Sequence, residues 1–362
     1  MHVIYGETIN DVIMKLLEKV LNEGVRVSTR NGDAITIYDV SMILRNPRSR
    51  HLSLAGRKNN IFSTFAEAIW VFAGDNRIKP YLTFFLPRAP KYSDDGVTWR
   101  AAYGERLYAH GQLENVVQQF KNEGIFTRRA VISLYMPDRD TSESLIKLYN
   151  IEHSVDIPCN NLIHFFITPD KNLNIKIVQR SGDLIFGVSN INIFEFSLLQ
   201  EIVLSMLQRE VDSEIKLGYL HHSVTNLHIY DDRIEQANEI HKRKEEQITD
   251  LINDDEISFP PSLPNIKSLF CDIVLFLERI ITENTYKIDT IEKETEKLKK
   301  KIFIEHFVET ERNLLWGYAE AALSYIFQER FKQPIVLTAK LSDDFNLSVT
   351  SNHFNNSNKE RL

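Results

Sequence analysis

The chain has 362 residues, 43% hydrophobic and 26% charged, an ordinary make-up for a soluble globular protein with one large domain or two smaller ones. Its net charge of −7 argues against broad nucleic-acid binding, and no apolar run reaches the length of a membrane span. Residues His2 to Glu7 lack the layout of an export signal, and Cys159 and Cys271 are the only cysteines, so a reducing, cytoplasmic setting is expected.

In chain order, Asp11 to Glu23 has helical spacing, with Asn10 as its expected cap. Ala34 to Tyr38 alternates as a strand does, and Ser63 to Phe72 reads as a buried helix in which Glu67 lies among apolar neighbours. Residues 80–99 carry Pro80, Pro87, Pro90 and a Ser-Asp-Asp-Gly turn, and predict a loop. Gln112 to Asn122 predicts a helix and Arg129 to Met136 a strand. Leu162 to Ile167 and Leu184 to Val188 predict strands beside Cys159 and Arg180. Phe194 to Glu210 predicts an apolar helix, Leu217 to Ile229 a strand and Asp231 to Asp250 a polar helix. Beyond Ile257 the prolines 260, 261 and 264 break the pattern, and 266–331 predict long helices with a Lys/Glu-dense run from Ile291 to Lys301. The implied division is a first domain over 1–256, a helical region over 257–350 and a frayed tail over 351–362.

The chemistry centres on Cys159, in Asp156-Ile157-Pro158-Cys159-Asn160-Asn161, and on the later segment Gln179-Arg180-Ser181-Gly182-Asp183. A thiol and an arginine-bearing anion site on adjacent strands suggest covalent catalysis on a phosphorylated substrate. Other segments join these in order: Glu67-Ala68-Ile69-Trp70 with Gly74-Asp75 after it, Tyr103-Gly104, Arg128-Arg129 and His228-Ile229-Tyr230. Together, from about Arg30 to Glu239, they resemble thymidylate synthase and its relatives, the pyrimidine-nucleotide hydroxymethylases.

The resemblance implies an α/β fold of that type: a large mixed sheet covered by helices on one face, with the other face forming a homodimer. It also implies one-carbon transfer from 5,10-methylenetetrahydrofolate to carbon 5 of a uridylate-type nucleotide (dUMP-like). Cys159 would add to carbon 6 of the ring, because carbon 5 is a poor nucleophile until that bond forms. Arg180 would lower the thiol pKa and, with Gln179 and Ser181, bind phosphate, which the planar guanidinium suits. Arg128 and Arg129 would reach the phosphate from the partner subunit. Glu67 would organise water and proton transfer, and Tyr103 would assist loss of the carbon 5 proton. Asp183 would lie near base and folate. His228 and Tyr230 would hydrogen-bond the sugar. Asn192 would read the uracil edge, with Asn190 as the alternative after a one-residue shift; no aspartate stands there, which favours uracil over cytosine.

Several departures bear on the outcome. Ile157-Pro158-Cys159-Asn160 replaces the family's Pro-Pro-Cys-His, the Pro-Phe before the base-reading asparagine is missing, and Phe84, Phe85 and Leu86 stand where a tryptophan shields the folate. No apolar C-terminal lid is recognisable. Water exclusion decides whether the methylene intermediate is reduced or hydrated, so methylation and hydroxymethylation both remain open. A second reading keeps the fold as a nucleotide-binding or sensing protein acting through its C-terminal helices. Cys271, Trp316 and Tyr318 read as packing residues, and His221-His222 lack partners at metal-ligand spacing, so no metal is expected.

Overall fold

The computed structural model describes residues 2–57, 60–246, 252–283, 287–306, 308, 313–332, 342–343 and 345. Its strands are β1 (His2–Gly6), β2 (Val25–Thr29), β3 (Gly32–Leu44), β4 (Val131–Ser133), β5 (Asn160–Ile167), β6 (Asn172–Gln179), β7 (Gly182–Asp183) and β8 (Lys216–Tyr230). They form one mixed sheet in the order β1-β3-β8-β6-β5-β4, with β2 added to β3 and β7 to β8. The β1–β3, β6–β8 and β7–β8 pairs are parallel, and the others antiparallel.

The helices are α1 (Ile9–Glu23), α2 (Ile61–Phe72), α3 (Tyr81–Phe85), α4 (Tyr103–Tyr108), α5 (Gln112–Glu123), α6 (Pro137–Asp140), α7 (Ser142–Tyr149), α8 (Ile193–Glu210), α9 (Ile234–Lys242), α10 (Leu263–Thr282), α11 (Ile288–His306) and α12 (Leu314–Ile326). The strand alternation decides which face they cover. On β8, Leu220, His222 and Val224 are buried, while Tyr219, His221 and Ser223 point to the other face and are only half-buried. α1 lays Val12, Ile13, Leu16, Leu17 and Val20 against the covered face. α8 is apolar nearly all round and is buried along most of its length, as a central helix must be. The expected mixed sheet with helices on one face is therefore present. Among the described residues no helix is long and apolar enough to cross a membrane.

Four local expectations are corrected. α1 begins at Ile9, and its cap is Thr8, whose hydroxyl accepts the Asp11 N–H at 3.2 Å. Asn10 is drawn instead to a distant partner: its amide donates to Ser53 Oγ at 2.8 Å and accepts the Ser53 N–H at 3.0 Å. Residues 80–99 are not all loop, because Tyr81, Leu82 and Phe85 bury themselves in α3. The strand predicted over Arg129 to Met136 shrinks to β4, whose neighbour β5 pairs with it only from Leu162 to His164. Leu184 to Val188 is not a strand but the start of a π-helical turn, Leu184–Asn192. The Asp183 carboxylate accepts the Ile185 and Phe186 N–H groups at 2.8 and 3.4 Å and so starts a helix where a short apolar run alone fits either state.

The polar helix predicted over Asp231 to Asp250 is realised as α9; its last part, 247–250, lies outside the described residues, as does the tail 351–362. The helices expected over 266–331 are α10, α11 and α12; α10 and α12 pack onto α2, and α11 packs onto α10. Tyr318 stacks on Phe65 with ring centroids 5.0 Å apart, and Tyr325 on Phe62 at 5.3 Å. Tyr325 also meets Phe85 and Phe84, at 5.7 and 6.2 Å. Thus α12 packs the segment where the shielding tryptophan was missed. Trp99, later in that segment, stands edge-on to Trp70 and donates its indole N–H to the Ala89 carbonyl at 3.0 Å.

Candidate active site

Cys159 immediately precedes β5, and Arg180 immediately follows the antiparallel β6, with Asn160 opposite Gln179. The Arg180 N–H donates to the Cys159 carbonyl at 2.9 Å. Its guanidinium donates to the Pro158 and Ile157 carbonyls at 3.0 and 3.1 Å, so the side chain grips the loop that carries the thiol. Cys159 is a free, half-buried thiol. The same loop is held from below by Arg100, which donates to the Asp156 carbonyl and, at 2.9 Å, to Ser154 Oγ. Asp156 in return accepts the Ala101 N–H at 3.0 Å, and burial pushes its carboxyl up to about 6. Arg100 and the fully buried Arg106 share Asp140, with N–O distances of 2.9 and 2.6 Å.

Tyr103 reaches this loop because Gly104 lets α4 sit directly on α2. A Cβ at Gly104 would stand 2.1 Å from the Val71 carbonyl oxygen, which no other residue tolerates. The Tyr103 hydroxyl accepts from Asn160 twice, from its N–H at 3.2 Å and its side-chain amide at 2.9 Å. Burial first, and the nearby Cys159 next, push the phenol well above its usual range, so it keeps its proton. Asn160 occupies the place of the family's histidine. It is buried, and its Oδ1 has no hydrogen-bond partner. Glu67 projects from α2 and is half-buried; burial raises its carboxyl to about 7, against the opposing pull of Arg88.

The β7–β8 pairing sets Asp183 opposite His228. Burial raises the Asp183 carboxyl, against its two capping N–H groups and His228. Burial likewise lowers His228, whose Nδ1 lies 3.2 Å from Asn226 Oδ1. Tyr230 stands edge-on to His228 at 4.7 Å, and its hydroxyl accepts from the Asn31 amide at 3.4 Å. Gln179 is buried and donates to Asn192 Oδ1 at 3.4 Å. Asn190 instead donates to Thr64 Oγ1 of α2 at 2.5 Å, so the alternative amide is engaged with the scaffold. Ser181 follows Arg180 and is half-buried.

Arg128 and Arg129 are exposed ahead of β4, and among the described residues no hydrogen bond or ion pair joins them to the Cys159 cluster. Arg129 pairs with Glu123 at 2.6 Å on the surface. His221 and His222 diverge across the sheet, as successive strand residues do; His222 is buried edge-on to Phe196 at 6.0 Å. The ligand-bearing cluster found among the described residues, Asp272, Glu305 and His306, joins α10 to α11. The Lys301 ammonium sits there 2.8 Å from Asp272 and supplies the positive charge.

Two features were not singled out from sequence. Phe186 carries three guanidinium groups around its ring, Arg88 at 4.0 Å, Arg233 at 4.7 Å and Arg57 at 5.3 Å. Only folding assembles them, because they come from separate segments. The other is Glu195, buried in the first turn of α8. A carboxylate between Phe194 and Phe196 in an apolar helix was the visible signal.

A sequence model of the family described as thymidylate synthase matches residues 12–261. The chain is 39% identical over 232 residues to the deoxyuridylate hydroxymethyltransferase of Delftia phage PhiW-14, covering 64% of this chain and 60% of that one. It is 31% identical over 236 residues to the deoxyuridylate hydroxymethyltransferase of Pseudomonas phage M6, covering 64% and 62%. It is also 32% identical over 152 residues to the thymidylate synthase of Mycoplasma genitalium, covering 42% and 43%. The matches span at most about three-fifths of these relatives' own length.

Proposed function

The chain belongs to the thymidylate synthase family, and on that premise we propose that it transfers a one-carbon unit to carbon 5 of deoxyuridylate, releasing a hydroxymethylated nucleotide. The observation that carries the proposal is the half-buried Cys159 thiol, on a loop that Arg180 grips by its carbonyls and that adjoins Tyr103, Asn160 and Gln179. Two relatives matched over nearly two-thirds of this chain bear the name deoxyuridylate hydroxymethyltransferase, which favours hydration over reduction.

Cys159 adds to carbon 6, and carbon 5 becomes the nucleophile. Arg180 and Ser181 bind phosphate; Arg128 and Arg129 of a second copy complete that site. Exposed Tyr5 of β1 and Tyr38 of β3 fit burial in such a dimer. The Gln179–Asn192 amide pair presents donor and acceptor to the uracil edge. His228 and Tyr230 hold the sugar. Asp183 orders the turn that faces base and folate. The arginine-ringed Phe186 fits an anionic, aromatic co-substrate such as 5,10-methylenetetrahydrofolate, with Arg57, Arg88 and Arg233 holding it. That group supplies the one-carbon unit when bound.

The deciding assay is incubation with labelled methylenetetrahydrofolate and each pyrimidine monophosphate. Hydroxymethyldeoxyuridylate with tetrahydrofolate is the expected outcome. Thymidylate with dihydrofolate would overturn the hydration step, and no product would overturn the enzymatic reading.

Glu67 makes the rate depend on pH. It is ionised only above about 7, so turnover should rise as pH passes that value, and Glu67→Gln should remove the limb along with ~10²-fold or more of the rate. Stability should move oppositely. The folded chain holds this proton up to about 7, whereas an unfolded glutamate releases it near ~4.3, so this group's contribution is lost as pH rises through that window.

A further inference from the structure

Glu195 is a carboxyl group with no ordinary reason to be where it is. It is 3% exposed, it sits in an apolar helix, and its Oε1 has no hydrogen-bond partner. Most buried polar atoms find a partner, and one that does not calls for a functional account. Its surroundings supply one. Glu67 lies on α2, which packs against α8, Phe65 meeting Phe194 at 5.6 Å between ring centroids, and its charge reaches Glu195 across that packing. Tyr103 of α4 feels its charge, and Phe196, next to Glu195, packs against the Tyr103 ring at 6.2 Å. Beyond Tyr103 lies Cys159, and beyond Glu67 lies Arg88. Glu195 thus stands between α2, which carries Glu67, and α4, which carries Tyr103 to the Cys159 loop.

We propose that Glu195 is a positioning residue for Glu67, the two carboxyl groups forming a pair that carries a single proton. Two adjacent carboxylates in a dry site do not both ionise. Burial and then the Glu67 charge hold the Glu195 carboxyl well above its ordinary range, and Glu67 has Arg88 on its side, so Glu195 keeps the proton and Glu67 takes the charge. The pair then titrates as a unit. A neutral Glu195 has an O–H to turn toward the Glu67 carboxylate, which fixes that carboxylate without cancelling its charge.

This inference rests on the hydration reading for its consequence. In that step a water oxygen bonds to the exocyclic methylene carbon, and the methylene π pair moves through carbon 5 onto the carbon 4 carbonyl oxygen. The water proton passes to Glu67. The enolate then collapses, carbon 5 and carbon 6 regain their double bond, and the Cys159 thiolate leaves. A carboxylate that is charged yet held by a neutral neighbour is suited to take that proton.

The test has a part that needs no substrate. Infrared difference spectra of the whole free enzyme against Glu195→Gln, at about pH 8, should show a protonated-carboxyl band in the wild type that the variant lacks, since an unpaired glutamate would be ionised there. Turnover of tritiated deoxyuridylate with methylenetetrahydrofolate supplies the second part. Glu195→Gln, which imitates the neutral acid, should keep its rate within about fivefold and its low-pH limb in place, whereas Glu195→Leu should move that limb up by about one pH unit. A wild-type spectrum without the band, a band that survives in Glu195→Gln, or a limb that Glu195→Leu leaves unmoved would each overturn the pair. Absence of hydroxymethylated product in the wild type would overturn the hydration reading alone, because the infrared result stands without it.

Discussion

Cys159→Ser should bind deoxyuridylate but lose turnover by ~10⁴-fold or more, and release of tritium from carbon 5 should fall with it. The reason is the nature of the attacking atom. A thiol near neutral pH holds a usable fraction of thiolate, and sulfur is intrinsically nucleophilic; a serine hydroxyl in the same place offers neither. Nothing near Cys159 would replace it. Tyr103 keeps its proton, and Arg180, which holds the Ile157 and Pro158 carbonyls, carries a cation that cannot attack a ring carbon. The substitution removes little bulk from a half-buried position, so the fold and the Gln179–Asn192 pair should persist. Nucleotide binding by calorimetry, measured beside tritium release, separates lost chemistry from lost binding. Tritium release within about tenfold of the wild type would remove the covalent mechanism.

The largest stability effect should come from Asp140, a residue remote from the chemistry in role. Asp140→Ala is expected to cost about 3–5 kcal/mol, because it leaves the fully buried Arg106 without its counter-charge and Arg100 with only Asp94, at 3.6 Å. Asp140 also accepts the Met136 N–H at 2.8 Å, so a backbone donor is orphaned too. Against typical domain stabilities of about 5–15 kcal/mol this is a large fraction, readable as a drop in the urea midpoint. Asp140→Asn should recover little of it, since an amide does not neutralise two cations. Burial alone would raise the Asp140 carboxyl, but Arg106 and Arg100 hold it below its usual range. Its contribution is therefore present above the ordinary carboxylate pKa and lost as pH falls through the depressed value. Arg100 links this network to the Asp156 carbonyl and Ser154, so folded Asp140→Ala should also show slower alkylation of Cys159.

Much of the candidate site was legible because the proposed chemistry needs particular residue types in order. The Cys159 loop, the Gln179-Arg180-Ser181-Gly182-Asp183 segment, Tyr103-Gly104 and His228-Ile229-Tyr230 are local signatures; the structure sets Asn160 opposite Gln179, bonds Tyr103 to Asn160 and pairs Asp183 with His228. Errors arose where a long-range partner outweighed a local preference. Asn10 looked like a cap until Ser53 claimed its amide, and Leu184 to Val188 looked like a strand until Asp183 capped it into a helix. Arg128 and Arg129 were legible as residues, but one chain leaves them on the surface.

The order of motifs along the chain by itself determined the family type of the fold and which thiol to propose as the nucleophile, because periodicity and reactive side chains are properties of neighbours in sequence. Only the tertiary structure decided the electrostatics. It buried Glu195 on α8 against the helix that carries Glu67, ringed Phe186 with Arg57, Arg88 and Arg233, and folded Tyr325 of α12 onto Phe62 and Phe85. Burial, and the charge that reaches a group once water is excluded, depend on segments far apart in the chain, and no local pattern records them.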